Sequence, residues 1–138
     1  MASWISSCKK IVHMDFHMPE FPRDAIRNFD PVSFVAELRR AGVDAVAIFA
    51  KDHFGMSFYP TEVGHMHQGL QQDFLGGVLA EAHKHHIKVL AYLSAGWDQY
   101  NIRNNPDWKQ CARDGKPLLK DAEWEWGCLN SPYKEESI

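Results

Sequence analysis

Val43-Asp44-Ala45-Val46-Ala47-Ile48-Phe49-Ala50, followed at once by Lys51-Asp52-His53-Phe54-Gly55, is the stretch on which the fold turns. After Asp44 the run is too continuously apolar for a strand with one wet face, and it reads as a central parallel strand covered on both sides. Where it ends, charged and imidazole groups begin. In α/β folds the loops past the carboxyl ends of parallel strands leave an open crevice in which ligand sites are built. A small polar ligand is therefore the first expectation.

Working outward, residues 11–16 form a short apolar-leaning run bounded by Lys9-Lys10 and Pro19, which suits a first strand. Asp30-Pro31 is a helix start, with a carboxylate cap and proline at the first helical position. Phe34, Val35, Leu38 and Ala41 follow at helical spacing, and Gly42 ends the turn. Residues 51–71 are a long loop of the kind that carries function or specificity. A second amphipathic helix presents Phe74, Leu75, Val78, Leu79 and Ala82 on one face, and residues 87–94 are a third apolar strand.

The order is βαβαβ, which calls for right-handed crossovers and a parallel sheet packed against helices. The tail breaks the pattern. Asn105-Pro106-Asp107-Trp108 is a turn leading into a short helical stretch, and Asp114-Gly115 with Lys116-Pro117 signals a hairpin turn. Residues 110–126 are thus expected to make a small excursion over the sheet. Ser131-Pro132 opens a serine-capped helix. Residues 1–138 read as one partial catalytic domain that stops within a repeating architecture, because a closed eight-stranded barrel takes about 250 residues.

Composition narrows the function. With 138 residues, 45% hydrophobic and 24% charged, the chain has the material for an ordinary globular core. A net charge of −3 without a basic run argues against nucleic acid, and no apolar stretch reaches spanning length, which argues against a membrane. No secretory signal is evident at the amino terminus, so a cytoplasmic location is expected. Cys8, Cys111 and Cys128 are odd in number and widely spaced, which supports neither a disulfide framework nor a structural zinc site.

Several side chains are placed to carry chemistry. His13, Asp15 and His17 alternate with Met14 and Phe16, so a strand's two-residue period points all three to one side. Such a set suits a sugar-hydroxyl clamp or a divalent metal, and His17 lies nearest the loop. Lys51, Asp52 and His53 offer a donor, an acceptor and a group that is both, which matches neighbouring hydroxyls on a pyranose. Tyr92 and Ser94 share a side and precede Trp97-Asp98, an indole to stack on a sugar and a carboxylate to take its hydroxyls. His17, Asp52, His53, Tyr92, Trp97 and Asp98 are the expected substrate-binding residues. His83, His85 and His86 fall at a helix end and read as solvated, whereas Trp108, Trp124 and Trp126 suit either an aromatic groove or the cover of an open sheet face.

These segments resemble a known group. His13 to Asp98, with Phe58-Tyr59-Pro60-Thr61, Asp73-Phe74-Leu75-Gly76, Ile87-Lys88-Val89-Leu90-Ala91-Tyr92 and Cys128-Leu129-Asn130-Ser131-Pro132-Tyr133, resemble the amino-terminal part of a hypothetical glycoside hydrolase group. That group is distantly similar to α-L-fucosidases and to barrel-type β-galactosidases. The resemblance implies a (β/α)8 TIM barrel, of which this chain is the amino-terminal portion of about three βα units. It also implies a carbohydrate substrate and no cofactor. Lys51-Asp52-His53-Phe54-Gly55 is similar to the fucosidase Lys-His-His-Asp-Gly-Phe segment, whose histidines hold the sugar, so His53 would bind substrate and His17 would match a strand-one sugar ligand. Asp52 departs from that pattern. The nucleophile would follow a fourth strand beyond Tyr133, so the polypeptide is expected to bind sugar weakly or not at all and to be inactive alone, while its parent hydrolyses an O-glycosidic bond. Two other readings remain open: a metal-dependent amidohydrolase-type barrel built on His13, Asp15 and His17, and a small non-catalytic α/β module that self-associates through open sheet edges.

Overall fold

The computed structural model describes residues 4–20, 26–118 and 125–136. Within them the elements are β1 (Ile11–Met14), α1 (Pro31–Arg40), β2 (Ala45–Lys51), β3 (Met56–Ser57), β4 (His65–Met66), α2 (Phe74–Lys84), β5 (Lys88–Leu93), α3 (Gln99–Asn104) and α4 (Tyr133–Glu136). Single 3-10 turns cover Trp4–Ser7 and Pro106–Trp108.

The continuous apolar run is the centre of the sheet. β2 pairs in parallel with β1, from Ile11 opposite Ala45 to Met14 opposite Ile48, and with β5, from Lys88 opposite Ala45 to Tyr92 opposite Phe49. Its residues are buried apart from a half-buried Ala47. Side chains alternate between the two faces of a strand. Val46 and Ile48 therefore join Val35, Leu38, Val78 and Ala82 in the helix-side core. Ala47 and Phe49 turn the other way, the register adds His13 and Tyr92 to that second face, and a β-bulge interrupts the alternation between Phe49 and Lys51.

The helix caps behave as their sequence indicates. The Asp30 carboxylate accepts from Val32 N at 3.1 Å and Ser33 N at 3.0 Å, with Pro31 in the first turn. Asp73 accepts from Gly76 N at 2.8 Å, so α2 begins one residue later. Leu79, expected on the apolar face of α2, is 39% exposed.

Two expectations need correction. Residues 51–71 are not a plain loop, because beyond Met14 the β1 side of β2 is taken over by β3, antiparallel at Lys51 opposite Ser57, and β4 runs parallel to β3. These two-residue strands are too short to leave a periodic signature. They are held instead by Phe58 N to Ala50 O at 2.8 Å, His67 N to Ser57 O at 3.0 Å, and a fully buried His67 whose Nδ1 accepts from Gly69 N at 2.9 Å. The helix near Asn105 also lies before that residue rather than after it, since Asp98 caps α3 by accepting from Asn101 N at 2.9 Å.

The tail folds back as a turn. Lys116 O accepts from Ala112 N at 2.7 Å across Gly115, whose φ is +79°, and isolated antiparallel bridges join Trp97 to Trp126 and Lys109 to Gly127. Trp124 lies outside the described residues.

Candidate functional site

Three strand ends bring their aromatic and imidazole groups to one place. The His17 and His53 rings lie 4.3 Å apart between centroids, and His53 and Trp97 lie 4.5 Å apart. His53 Nε2 is 3.2 Å from the Tyr92 hydroxyl. Beneath them Phe49 stacks on Tyr92 at 4.3 Å and 18°, and meets the edges of His13 at 5.8 Å and His17 at 5.1 Å. The register explains part of the convergence: Phe49 lies opposite Tyr92, and after a β-bulge that sets Lys51 opposite Leu93 the turn beyond β2 carries His53 over the Tyr92 hydroxyl. Asp15, two-thirds exposed, reaches His17 Nε2 at 3.1 Å.

Of the six residues expected to bind substrate, the structure gathers His17, His53, Tyr92 and Trp97 and places the two carboxylates elsewhere. Asp52 is fully buried and accepts from three backbone amides, Phe54 N and Met56 N on Oδ1 at 3.0 Å and Met18 N on Oδ2 at 2.9 Å. It ties the loop after β1 to the turn after β2. Burial pushes its carboxyl up to about 6 against the pull of these amides and of His17. Asp98 is also fully buried, with Lys51 Nζ at 2.6 Å and Asn101 Nδ2 at 3.0 Å. Lys51, expected to donate to a ligand, is 4% exposed and spends its charge on Asp98 under the ring of Tyr133, whose centroid is 5.5 Å from the ammonium. Ser94 is buried and donates to Trp97 O at 2.8 Å.

This ion pair holds the floor of the cluster in register. His53 O accepts from Gln99 N at 3.1 Å and Phe54 O from Tyr100 N at 3.0 Å, so the β2 turn and the start of α3 are stitched along two residues. From the far side Gly96 O accepts from Gly127 N at 2.9 Å and Asp98 N donates to Glu125 O at 3.0 Å. Trp97 is thereby fixed between two backbones, its ring against Trp126 at 4.8 Å. Gly55 completes the stitch: its φ is +85°, and a Cβ there would collide with Asp98 Oδ1. Gly55→Ala is expected to cost at least about 1–3 kcal/mol of stability. A urea midpoint equal to that of the parent chain would contradict the stitch.

Burial first, and the neighbouring His17 second, hold the His53 imidazole below its ordinary value of about 6.5. The neutral ring is favoured in the folded chain. A depressed imidazole pKa adds stability that is present above about 6.5 and is lost as pH falls through the folded value. The NMR titration of the His53 ring is expected to show a midpoint below 6.5, and a midpoint at or above 6.5 would contradict this environment. At neutral pH His53 is then both a donor and an acceptor.

Sequence reasoning missed Phe49 as the shared platform, the Lys51–Asp98 pair and Tyr133. The place of Phe49 near the carboxyl end of the apolar run is a signal for the first of these, whereas nothing local marks a tyrosine 82 positions after Lys51 as its cover. His13 and His17 both reach Phe49, yet among the described residues no group of three His, Cys, Asp or Glu side chains is placed to hold a metal ion. His83 and His86 are exposed, and His85 Nε2 lies 3.4 Å from Glu81, away from the cluster.

Residues 30–138 match the family described as hypothetical glycosyl hydrolase 6. The chain belongs to this family. Solved structures agree with that placement. The chain is 30% identical to α-L-fucosidase isoenzyme 2 from Paenibacillus thiaminolyticus, with a TM-score of 0.82 over 91% of this chain and 20% of the fucosidase. A hypothetical protein from Ruminiclostridium thermocellum is 17% identical with a TM-score of 0.57, over 74% of this chain and 55% of that one. The unliganded α-L-fucosidase AlfC from Lactobacillus casei is 15% identical with a TM-score of 0.51, over 64% and 38%. The last two share the fold alone. No curated protein matches the chain. This glycosyl hydrolase family member thus spans one fifth of the length of the fucosidase it resembles at 30% identity. Its described residues include no helix long and apolar enough to cross a membrane.

Proposed function

We infer that the chain forms one wall of the sugar pocket of a glycoside hydrolase acting on O-glycosidic bonds, as the amino-terminal portion of a (β/α)8 barrel. The observation that carries this reading is the convergence of His17, His53, Tyr92 and Trp97 from the carboxyl ends of three parallel strands. Ligand sites of such folds are built at these ends. A half-buried indole beside two imidazoles and a phenol offers one apolar face and several two-way hydrogen-bonding groups, the combination a pyranose ring presents in return.

The carboxylates support a division of labour. A retaining glycosidase sets two carboxyl groups about 5 Å apart across the scissile bond. Asp52 and Asp98 are committed to amides and to Lys51, so the catalytic pair is assigned to residues beyond this chain. L-Fucose is the sugar of choice for a first test, because the 30%-identical structure is an α-L-fucosidase. The departure of Asp52 from the fucosidase pattern leaves this choice intact, since its carboxylate is fully buried and taken up by the amides of Met18, Phe54 and Met56. Calorimetric titration of the chain with L-fucose is expected to give a dissociation constant of about millimolar order. Equal heats from L-fucose and D-glucose at the same concentrations would remove the support for a specific pocket.

A further inference from the structure

His17 and His53 come from the loops after two different strands, yet the residue following each of them donates its amide to the same side chain. Met18 N reaches Asp52 Oδ2 at 2.9 Å, and Phe54 N reaches Asp52 Oδ1 at 3.0 Å. Met56 N is a third donor, also on Oδ1 at 3.0 Å. Asp52 is itself fully buried. An ionised carboxylate only accepts, and its bonds to N–H donors are stronger than neutral ones, so a single acid fixes both backbones.

The two oxygens divide these donors by range. Both bonds on Oδ1 are local, two and four positions along the chain. The same turn is also closed by Asp52 N on Met56 O at 3.1 Å and by Gly55 N on Asp52 O at 3.2 Å. Such bonds are what an aspartate at a turn ordinarily makes. The bond on Oδ2 instead crosses 34 positions to the loop after β1. That loop is anchored to either side of it. Phe16 packs against Phe49, Phe58 and Phe74 at 5.4, 5.1 and 5.4 Å, and Glu20 Oε1 meets His65 Nε2 at 2.5 Å. Between these anchors, the Met18 bond to Asp52 fixes the backbone one residue past His17.

We propose that Asp52 is a positioning residue of the sugar pocket: through Oδ2 it holds the backbone at Met18 so that the His17 ring stays against His53, and the two imidazoles meet the sugar as one preorganised pair. The proposal rests on the pocket inferred above and names the residue that sets its spacing. Asp52 touches no sugar in this role. Its Oδ1 shapes the turn that carries His53, and its Oδ2 brings His17 to that turn, with 4.3 Å between the ring centroids. Ordering the pair before the sugar arrives removes an entropy loss from binding, which for one side chain is about two- to tenfold in affinity.

Asp52→Asn separates the two oxygens, because the amide keeps the shape of the side chain and one acceptor. The orientation that preserves two bonds leaves its oxygen on Phe54 N and Met56 N and turns its nitrogen toward Met18 N, donor against donor. The His53 turn is then expected to persist while His17 comes away from it. In NOE spectra at neutral pH the contact between the His17 and His53 rings is expected to disappear and that between His53 and Trp97 to remain. The Met18 amide is expected to exchange with solvent at least about tenfold faster than in the parent chain, the factor for losing one charge-assisted hydrogen bond. Calorimetry is expected to show L-fucose binding about two- to tenfold more weakly. Should the variant not fold, the parent chain carries the test: a scalar coupling across the hydrogen bond from Met18 N to the Asp52 carboxylate carbon is expected, and its absence would overturn the proposal. An unchanged His17–His53 contact with unchanged L-fucose affinity in Asp52→Asn would overturn the positioning role and leave the sugar pocket standing. Loss of the His53–Trp97 contact together with the His17–His53 contact would also overturn it, since Asp52 would then support the whole cluster rather than its spacing. No binding of L-fucose by the parent chain, with the scalar coupling present, would remove the pocket and with it the role given to Asp52.

Discussion

Asp98→Ala is expected to cost the chain about 3–5 kcal/mol, the range for removing one member of a buried ion pair. Most of that loss comes from what is left behind. Lys51 is 4% exposed with its ammonium 2.6 Å from the Asp98 carboxylate, so the substitution takes a buried counter-charge away from it. The substitution also strips the cap from α3, since Asn101 N and Nδ2 both donate to Asp98. A domain of this size has roughly 5–15 kcal/mol in total, so the variant is expected to sit near the edge of unfolding. Urea denaturation followed by circular dichroism reads the effect, and a midpoint unchanged from the parent would contradict it. Lys51→Met in the same chain as Asp98→Asn is expected to recover a large part of the loss, because the stranded charge is gone while the cap's hydrogen-bonding oxygen remains. The single and double variants together separate the charge from the cap.

His53→Ala is expected to weaken binding of L-fucose by at least about tenfold, or about 1.4 kcal/mol. His53 contacts all three of His17, Tyr92 and Trp97, at 4.3 Å, through a 3.2 Å hydrogen bond and at 4.5 Å respectively. Removing it opens the middle of the cluster. The backbone hydrogen bond from Gln99 N to His53 O is unaffected by the side chain, so the turn is expected to persist. Calorimetry with L-fucose measures the change, and an affinity within twofold of the parent would contradict a role for this ring in holding sugar.

How much of this was written in the chain depends on the range of the forces involved. The apolar run after Asp44 announces β2 because burial on both faces needs continuous apolar sequence. Asp30-Pro31 announces α1 because capping is local, with both amide donors within three residues. β3 and β4 were hidden, since each has two residues, too few to leave a periodic pattern. The clustering of His17, His53, Tyr92 and Trp97 was legible because position at or just past a strand's carboxyl end is a sequence property. The engagement of Asp52 and Asp98 within the chain was not legible, for a physical reason. An acidic side chain at a turn serves as a cap or an amide acceptor as readily as a ligand, and only the positions of Met18, Met56 and Lys51, up to 47 residues away, decide which.

The same reasoning explains why the Lys-Asp-His-Phe-Gly segment carries two jobs. Lys51 pairs with Asp98, and His53, in the turn two residues on, lies beside Trp97. Asp52 between them turns into the loop, and Gly55 lets the chain pass the Asp98 carboxylate where no side chain fits.

The central claim is that rings from three strand ends form the floor of a sugar pocket. Site-resolved NMR of the chain titrated with L-fucose tests it most directly. The ring signals of His17 and His53 and the indole signal of Trp97 are expected to shift together along one binding curve, with the buried amide of Val46 unmoved. Signals of these three rings that stay still at saturating sugar, or that move along separate curves, would contradict it.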